Sequence, residues 1–234
     1  MQMLSSDLIS ELLLGMRLDG LHYNRIQISP PFGVRFGDDP TRAQFHFIAR
    51  GRVYLRTDSG VVHTLEAGDA VLLPRGGIHA LLSDPSIPCL DVTDYSVTTI
   101  CRRVDDIHAC KAELCRSTDT LIFSGCMEFD LGGMHPLVSM MPEVMQVGTL
   151  IDRNPELLPV LEAMAREVST ERAGFAGILT RLADVVSASI VRDWVECGCG
   201  DAAGWVEALR DPRMGRVIAA IHRDPGRNWT VEAM

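Results

Sequence analysis

From residue 21 to 130 the chain runs in short stretches rich in Val, Ile, Phe and Thr, each closed by turn residues, and this texture limits the fold more than anything else in the sequence. Residues 45–55 and 61–65 flank Thr57-Asp58-Ser59-Gly60, a hairpin signal. Residues 70–73 lie between Gly68-Asp69 and Pro74-Arg75-Gly76-Gly77, which predicts a short strand between two tight turns. Strands repeated at this spacing predict a sandwich or a barrel.

The period changes after about residue 134. His135-Pro136 and Asn154-Pro155 each open a short helix, with proline in the first turn where its missing N–H is harmless. Phe175, Ile178, Leu179, Leu182, Val185, Val186, Ile190 and Trp194 recur at helical spacing and predict a long amphipathic helix stopped at Gly198. Such a stripe serves an intramolecular core or is shared between two subunits. Leu8, Ile9, Leu12, Leu13 and Met16 predict a further helix over 6–17, behind a Ser5/Ser6 cap. Asp211-Pro212 caps another, carrying Met214, Val217, Ile218 and Ile221. Trp229 to Met234 reads as a helix start with Thr230 as its cap, too short to stand alone in water, so the chain is expected to be cut where a further domain begins.

A net charge of −9 argues against this stretch gripping a phosphate backbone by itself. The C-terminal end differs, with Arg210, Arg213, Arg216, Arg223 and Arg227 against few acids. Its plain reading is a solvated basic helix face. The first residues show no positive n-region and no small-residue cleavage site, so no secretory leader is expected, and no apolar run reaches the roughly 18 residues that span a bilayer. Seven cysteines, an odd number, suggest reduced thiols. A cytoplasmic protein with no membrane partner is the expectation.

Gly68, Pro74, Gly76 and His79 stand at the spacing glycine, five residues, proline, one residue, glycine, two residues, histidine. This resembles the second signature of cupins. The run 45–55, the segment 121–147 with Gly125 and His135-Pro136-Leu137, and the blocks 211–216, 221–225 and 229–233 are similar to the AraC-type transcription regulators that carry a cupin domain. The resemblance covers most of the chain. It implies an α+β fold: a cupin-type antiparallel β-barrel or jelly roll (1–150), a helical dimerisation region (151–207), and a linker helix with the truncated start of a DNA-binding domain (208–234). It also implies a non-enzymatic, effector-sensing homodimer that reaches DNA through a helix-turn-helix domain beyond this sequence. Arg213, Arg216 and Arg223 then become candidates for DNA-backbone contacts.

Three effector chemistries stay open. Gln44, His46 and His79 are the barrel candidates. Aligned on Gly51, Gln44 takes the place of the glutamate ligand of enzymatic cupins, and His46 shares its strand face. Two imidazoles and an amide make a poor catalytic metal set, so a cupin metalloprotein or metal-dependent cupin enzyme is the alternative rather than the main reading. A satisfied core histidine is the plain one for His46. His63, near a strand end, is unremarkable. Cys101, His108, Cys110, Cys115 and Cys126 form the second candidate set, for oxidants and electrophiles at thiols favoured by nearby arginines, or for zinc or copper as soft-ligand metals. Their spacing matches no standard zinc pattern, and buried structural cysteines are the plain alternative. Some members of the resembled family answer reactive chlorine species through cysteines, although here Ser124 stands where several of them have cysteine. The third chemistry is a small organic molecule in the barrel, with Phe45, Phe47, Tyr54, Leu72 and Ile78 alternating with polar groups; the same residues equally fill a closed core.

Overall fold

The computed structural model describes residues 17–37, 42–110, 119–130, 140–148 and 153–197, with isolated positions at 138, 151, 213, 217, 226, 227 and 230. The chain divides into two compact units, one of 18–129 with 142–190, the other of 1–17, 130–141 and 191–234. The first unit carries the strands β1 (Arg17–Ile28), β2 (Gly33–Phe36), β3 (Arg42–Arg50), β4 (Val53–Thr57), β5 (Val62–Leu65) and β6 (Ala70–Leu73). They continue with β7 (His79–Leu82), β8 (Leu90–Asp91), β9 (Val97–Cys101), β10 (Val104–Ala109), β11 (Thr120–Asp130) and β12 (Met145–Gln146). One sheet runs β12-β6-β3-β11-β1-β10-β9, the other β5-β4-β7-β2-β8. Apart from β1 with β10 and β2 with β8, the pairs with a defined register are antiparallel.

The run 45–55 is two strands rather than one. Gly51, at φ 91°, turns the chain from one sheet into the other, and a Cβ there would stand 2.8 Å from Thr120 Oγ1. The hairpin signal at 57–60 is a tight turn, with Thr57 N–H donating to Val61 O at 3.0 Å and Gly60 N–H to Thr57 O at 3.0 Å. The polar stretch from Cys101 to Cys110 is not an extended connection. Its residues build the end of β9, a turn and β10, which lies parallel to β1 with Ile26 opposite Ile107.

Strand alternation sorts the side chains into two layers. Between the sheets lie Ile26, Ile28, Phe36, Ile48, Val71, Leu73, Leu81, Ile107 and Ile122, all buried in one cluster. On the other face of the seven-stranded sheet, Phe45, Phe47 and Phe123 are equally buried, and Tyr23 stacks on Phe123 at 5.3 Å. Gly125 makes room for that ring, which passes 2.6 Å from where its Cβ would be. Phe45, Phe47 and Leu72 therefore do not line the barrel, and Ile78 is half exposed, so the proposed aromatic lining of a ligand pocket is not what these residues form.

Two helices follow. Pro155–Leu157 make a 3-10 turn that leads into α1 (Leu158–Thr170), whose Leu161, Met164 and Val168 are buried. The long helix expected from the spacing is α2 (Phe175–Cys197). It buries Phe175, Leu179, Ala183, Val186 and Ile190, the face that its 3.6-residue period brings together. Of the second unit, the described part is mainly the end of α2, where Val191, Trp194 and Val195 are buried. The helices expected over 6–17, from His135-Pro136, after Asp211-Pro212 and from Trp229 lie outside the described residues, isolated positions apart.

Candidate functional site

His46 lies in the middle of β3, opposite Ser124 of β11 and Val71 of β6, and faces the barrel interior with Ile48 and Gln44. His79 opens β7 in the other sheet, opposite Phe36 and Thr57. The two rings meet across the interior, His46 Nε2 2.7 Å from His79 Nε2. On their far sides His46 Nδ1 is 2.8 Å from Ser124 Oγ, and His79 Nδ1 is 2.8 Å from Gly77 O. Phe36 stacks on His79 at 5.5 Å and tilts over His46 at 5.0 Å. Relative exposures of 0% for His46 and 2% for His79 leave the pair no water to turn to.

The Gly77 carbonyl orders every proton in this chain. A carbonyl oxygen accepts and never donates, so His79 Nδ1 carries the hydrogen. In a neutral ring Nε2 is then bare and accepts from His46 Nε2–H. That leaves His46 Nδ1 bare to accept from the Ser124 hydroxyl. Donation runs one way, from Ser124 through both imidazoles to Gly77, and ties the two sheets together. Gly37 holds the acceptor in place: at φ 94° it approaches Gly77 so closely that a Cβ would stand 1.9 Å from the Gly77 oxygen.

Burial keeps both rings neutral. It pushes His79 from the ordinary 6.5 down to about 4, against a smaller opposing pull from the Gly77 carbonyl. It pushes His46 well below the usual imidazole range, with the His79 ring adding to the effect. The unfolded chain takes up a proton near pH 6.5 that folded His79 refuses until about 4, so unfolding becomes easier as pH falls through that window. Stability from His79 is complete above about pH 6.5, and on the order of 3 kcal/mol of it is gone near pH 4. Urea midpoints followed by far-UV circular dichroism from pH 8 to 4 should fall along this course, and His79→Gln should flatten the curve. A wild-type profile no steeper than that of the variant would refute the assignment.

The pair does not fit a resident metal as it stands. Two nitrogens on a tetrahedral zinc are roughly 3.3 Å apart, given zinc–nitrogen bonds of about 2.05 Å, and here the Nε2 atoms are hydrogen-bonded. Among the described residues no group of three His, Cys, Asp or Glu is placed to hold an ion. Gln44 is buried two residues from His46 on the same face and offers an amide, not a third anionic or imidazole ligand.

The thiol set is spread out. Cys101 is exposed at the end of β9, and Cys110 follows β10, so the six residues of that strand hold them roughly 20 Å apart. Cys110 Sγ lies 3.7 Å from Gln27 O, to which its S–H donates. His108 is exposed on β10, and Cys126 is half-buried on β11 opposite Gln44. Cys115, Arg216 and Arg223 lie outside the described residues, while Arg213 is exposed. Sequence reasoning did not single out Phe36, Gly37 or the Gly77 carbonyl, and gave Ser124 only a negative role. Gly77 directly follows the signature glycine at 76, which was the one available hint.

A double antiparallel sheet closed over a histidine at the signature position defines a cupin. The chain belongs to the cupin family, whose model, described as "Cupin", matches residues 7–196, and it is similar to AraC-like transcription regulators. It is 27% identical over 191 residues to the HTH-type transcriptional regulator AlkR of Acinetobacter baylyi, covering 81% of this chain and 61% of that one. It is 26% identical to a putative AraC-like transcription regulator of Streptomyces lividans, covering 86% of this chain and 63% of that one. With the RCS-specific HTH-type transcriptional activator RclR of Escherichia coli it shares 22%, over 82% and 56%. The chain thus spans about three fifths of the length of the curated relatives it matches. Among solved structures, an apo form of ToxT from Vibrio cholerae aligns with 92% of this chain and 70% of its own, at 11% identity and a TM-score of 0.38. No helix among the described residues is long and apolar enough to cross a membrane.

Proposed function

We propose that this chain is the sensing and dimerising part of an AraC-type transcription regulator, with α2 passing a signal from the barrel to a second copy. The observation that carries this reading is that α2 has two apolar faces. One is buried, as described above. The other presents Ile178 and Val185, 46% and 50% exposed, with Leu182 half-buried between them. These positions are four and three residues apart, a seam of the kind that helices pair along. The names of the relatives, all transcription regulators, support the rest: DNA would be read by a helix-turn-helix part of the whole protein, with Arg213, Arg216 and Arg223 against phosphates. An oxidant signal has support from the RCS-specific relative and from exposed Cys101. No catalytic role is proposed.

Sedimentation equilibrium of the purified chain tests the reading. A wild-type dimer that becomes monomeric with Ile178→Glu and Val185→Glu is the expected result, since like charges at a closed apolar seam oppose pairing. A monomer at all concentrations, or a dimer unmoved by both changes, would overturn it.

A further inference from the structure

An open cleft of about 330 Å³ lies outside the barrel, between the β9–β10 turn and the first turns of α2. Its lining includes three arginines, Arg102 and Arg103 from the turn and Arg181 from the helix. We propose that this cleft is a binding site for a small anion bearing a carboxylate or phosphate group, held by Arg102, Arg103 and Arg181 with the Cys101 thiol beside it.

The argument starts from charge. The whole chain is −9, yet this cleft gathers three arginines against one carboxylate, Asp184. Its Oδ2 is 3.7 Å from Arg181 Nη1, and its charge acts on the Tyr23 hydroxyl at the cleft floor. Burial and that carboxylate hold Tyr23 protonated, so the floor adds no second negative charge. The lining is therefore net positive in a concave site of an acidic protein, where low-dielectric walls concentrate the field. Guanidinium forks suit the paired oxygens of carboxylate and phosphate.

The cleft is also built rather than draped. Tyr23 N–H donates to Arg103 O at 2.8 Å, fixing the turn to β1. Opposite it, Gly177 on α2 lines the cleft, and a Cβ at that position meets nothing within 4 Å. Space beside the arginines is therefore open down to the helix backbone. The positive end of the helix dipole is close by, since Gly177 is the third residue of α2.

Inorganic phosphate and succinate, each against sodium chloride at matched ionic strength, are the probes. The melting temperature of the full chain should rise with at least one of them, because a ligand held by the folded state alone stabilises it. A rise with phosphate alone assigns a phosphoryl group, with succinate alone a carboxylate, and with both the shared oxyanion chemistry. Arg103→Gln with Arg181→Gln should remove the rise. Gly177→Glu should remove it without deleting any arginine, placing a carboxylate in open space where the fold tolerates it. Alkylation of Cys101 by iodoacetamide, read by peptide mass spectrometry with Cys89 as internal reference, should slow about tenfold at ten times the Kd, since only the free site reacts. No rise beyond chloride, or an equal rise and equal protection in the Gly177→Glu protein, would overturn the proposal.

Discussion

Arg25→Ala is expected to lower the unfolding free energy by about 3–5 kcal/mol, a large share of the roughly 5–15 kcal/mol that holds a domain folded. The residue is 4% exposed, and its side chain joins three elements. Its Nε donates to Val168 O at 3.0 Å, in the last turn of α1. Nη1 donates to Asp106 Oδ1 of β10 at 2.8 Å, and Nη2 reaches Glu171 Oε1 at 2.6 Å. Alanine leaves the Asp106 carboxylate, 22% exposed, facing a cavity without its countercharge, and leaves a helix-terminal carbonyl unpaired. Glu171 adds little of this, because at 55% exposure solvent screens it, and Glu171→Gln should cost less than about 1 kcal/mol. Glu171 is nonetheless held in the left-handed region at φ 47° as it closes α1, and the Arg25 contact steadies it there. Arg25→Lys should not rescue the loss, since an ammonium cannot reach three diverging acceptors from one planar fork. Arg25→Ala with Asp106→Ala should recover part of it. Guanidinium chloride unfolding of the four variants decides the matter, and an Arg25→Ala loss under about 1 kcal/mol would show that the buried fork is not what docks α1.

Nothing in Asn24-Arg25-Ile26-Gln27 announces this. In sequence, Arg25 is the polar partner in a strand alternation and reads as a solvated charge, because its burial comes from a helix about 140 residues later. The barrel was legible for the opposite reason. Gly68, Pro74, Gly76 and His79 sit at a fixed local spacing, and local spacing is what a sequence displays directly. The same holds for α2, whose 3.6-residue period runs through Phe175, Leu179, Val186 and Ile190. His46 could be placed on an inward face by counting in twos from Gln44, but its partners could not. Ser124 meets it through the β3–β11 register, 78 residues away, and Phe36 through β2 beside β7. The cysteines show the converse failure. Cys101 and Cys110 look clustered in sequence, and an extended β10 drives them to opposite ends of a strand.

Replacing His46 alone by leucine should cost about 2–4 kcal/mol, and replacing His79 alone should cost a similar amount, while the double replacement should cost little more than either. This non-additivity follows from the direction of the proton chain. His46→Leu leaves His79 Nε2 as a buried acceptor with no donor and strips the Ser124 hydroxyl of its acceptor. His79→Leu leaves His46 Nε2–H pointing into an apolar contact and the Gly77 carbonyl unpaired. Changing both removes the orphaned ring atoms together and extends the cluster of Phe36, Ile48 and Val71 across the gap. A coupling of about 1–3 kcal/mol is expected from urea unfolding of the full cycle at about pH 7.5. Additive losses would mean that the rings act as independent fillers and that the 2.7 Å contact contributes nothing. If the coupling is found, the second leucine costs little once the first is in place, and the two histidines stabilise the barrel as a pair rather than singly. What the histidines add beyond apolar filling is direction: with the Gly77 carbonyl as its fixed acceptor, the proton chain has one sense only, and that sense decides how β3, β7 and β11 meet.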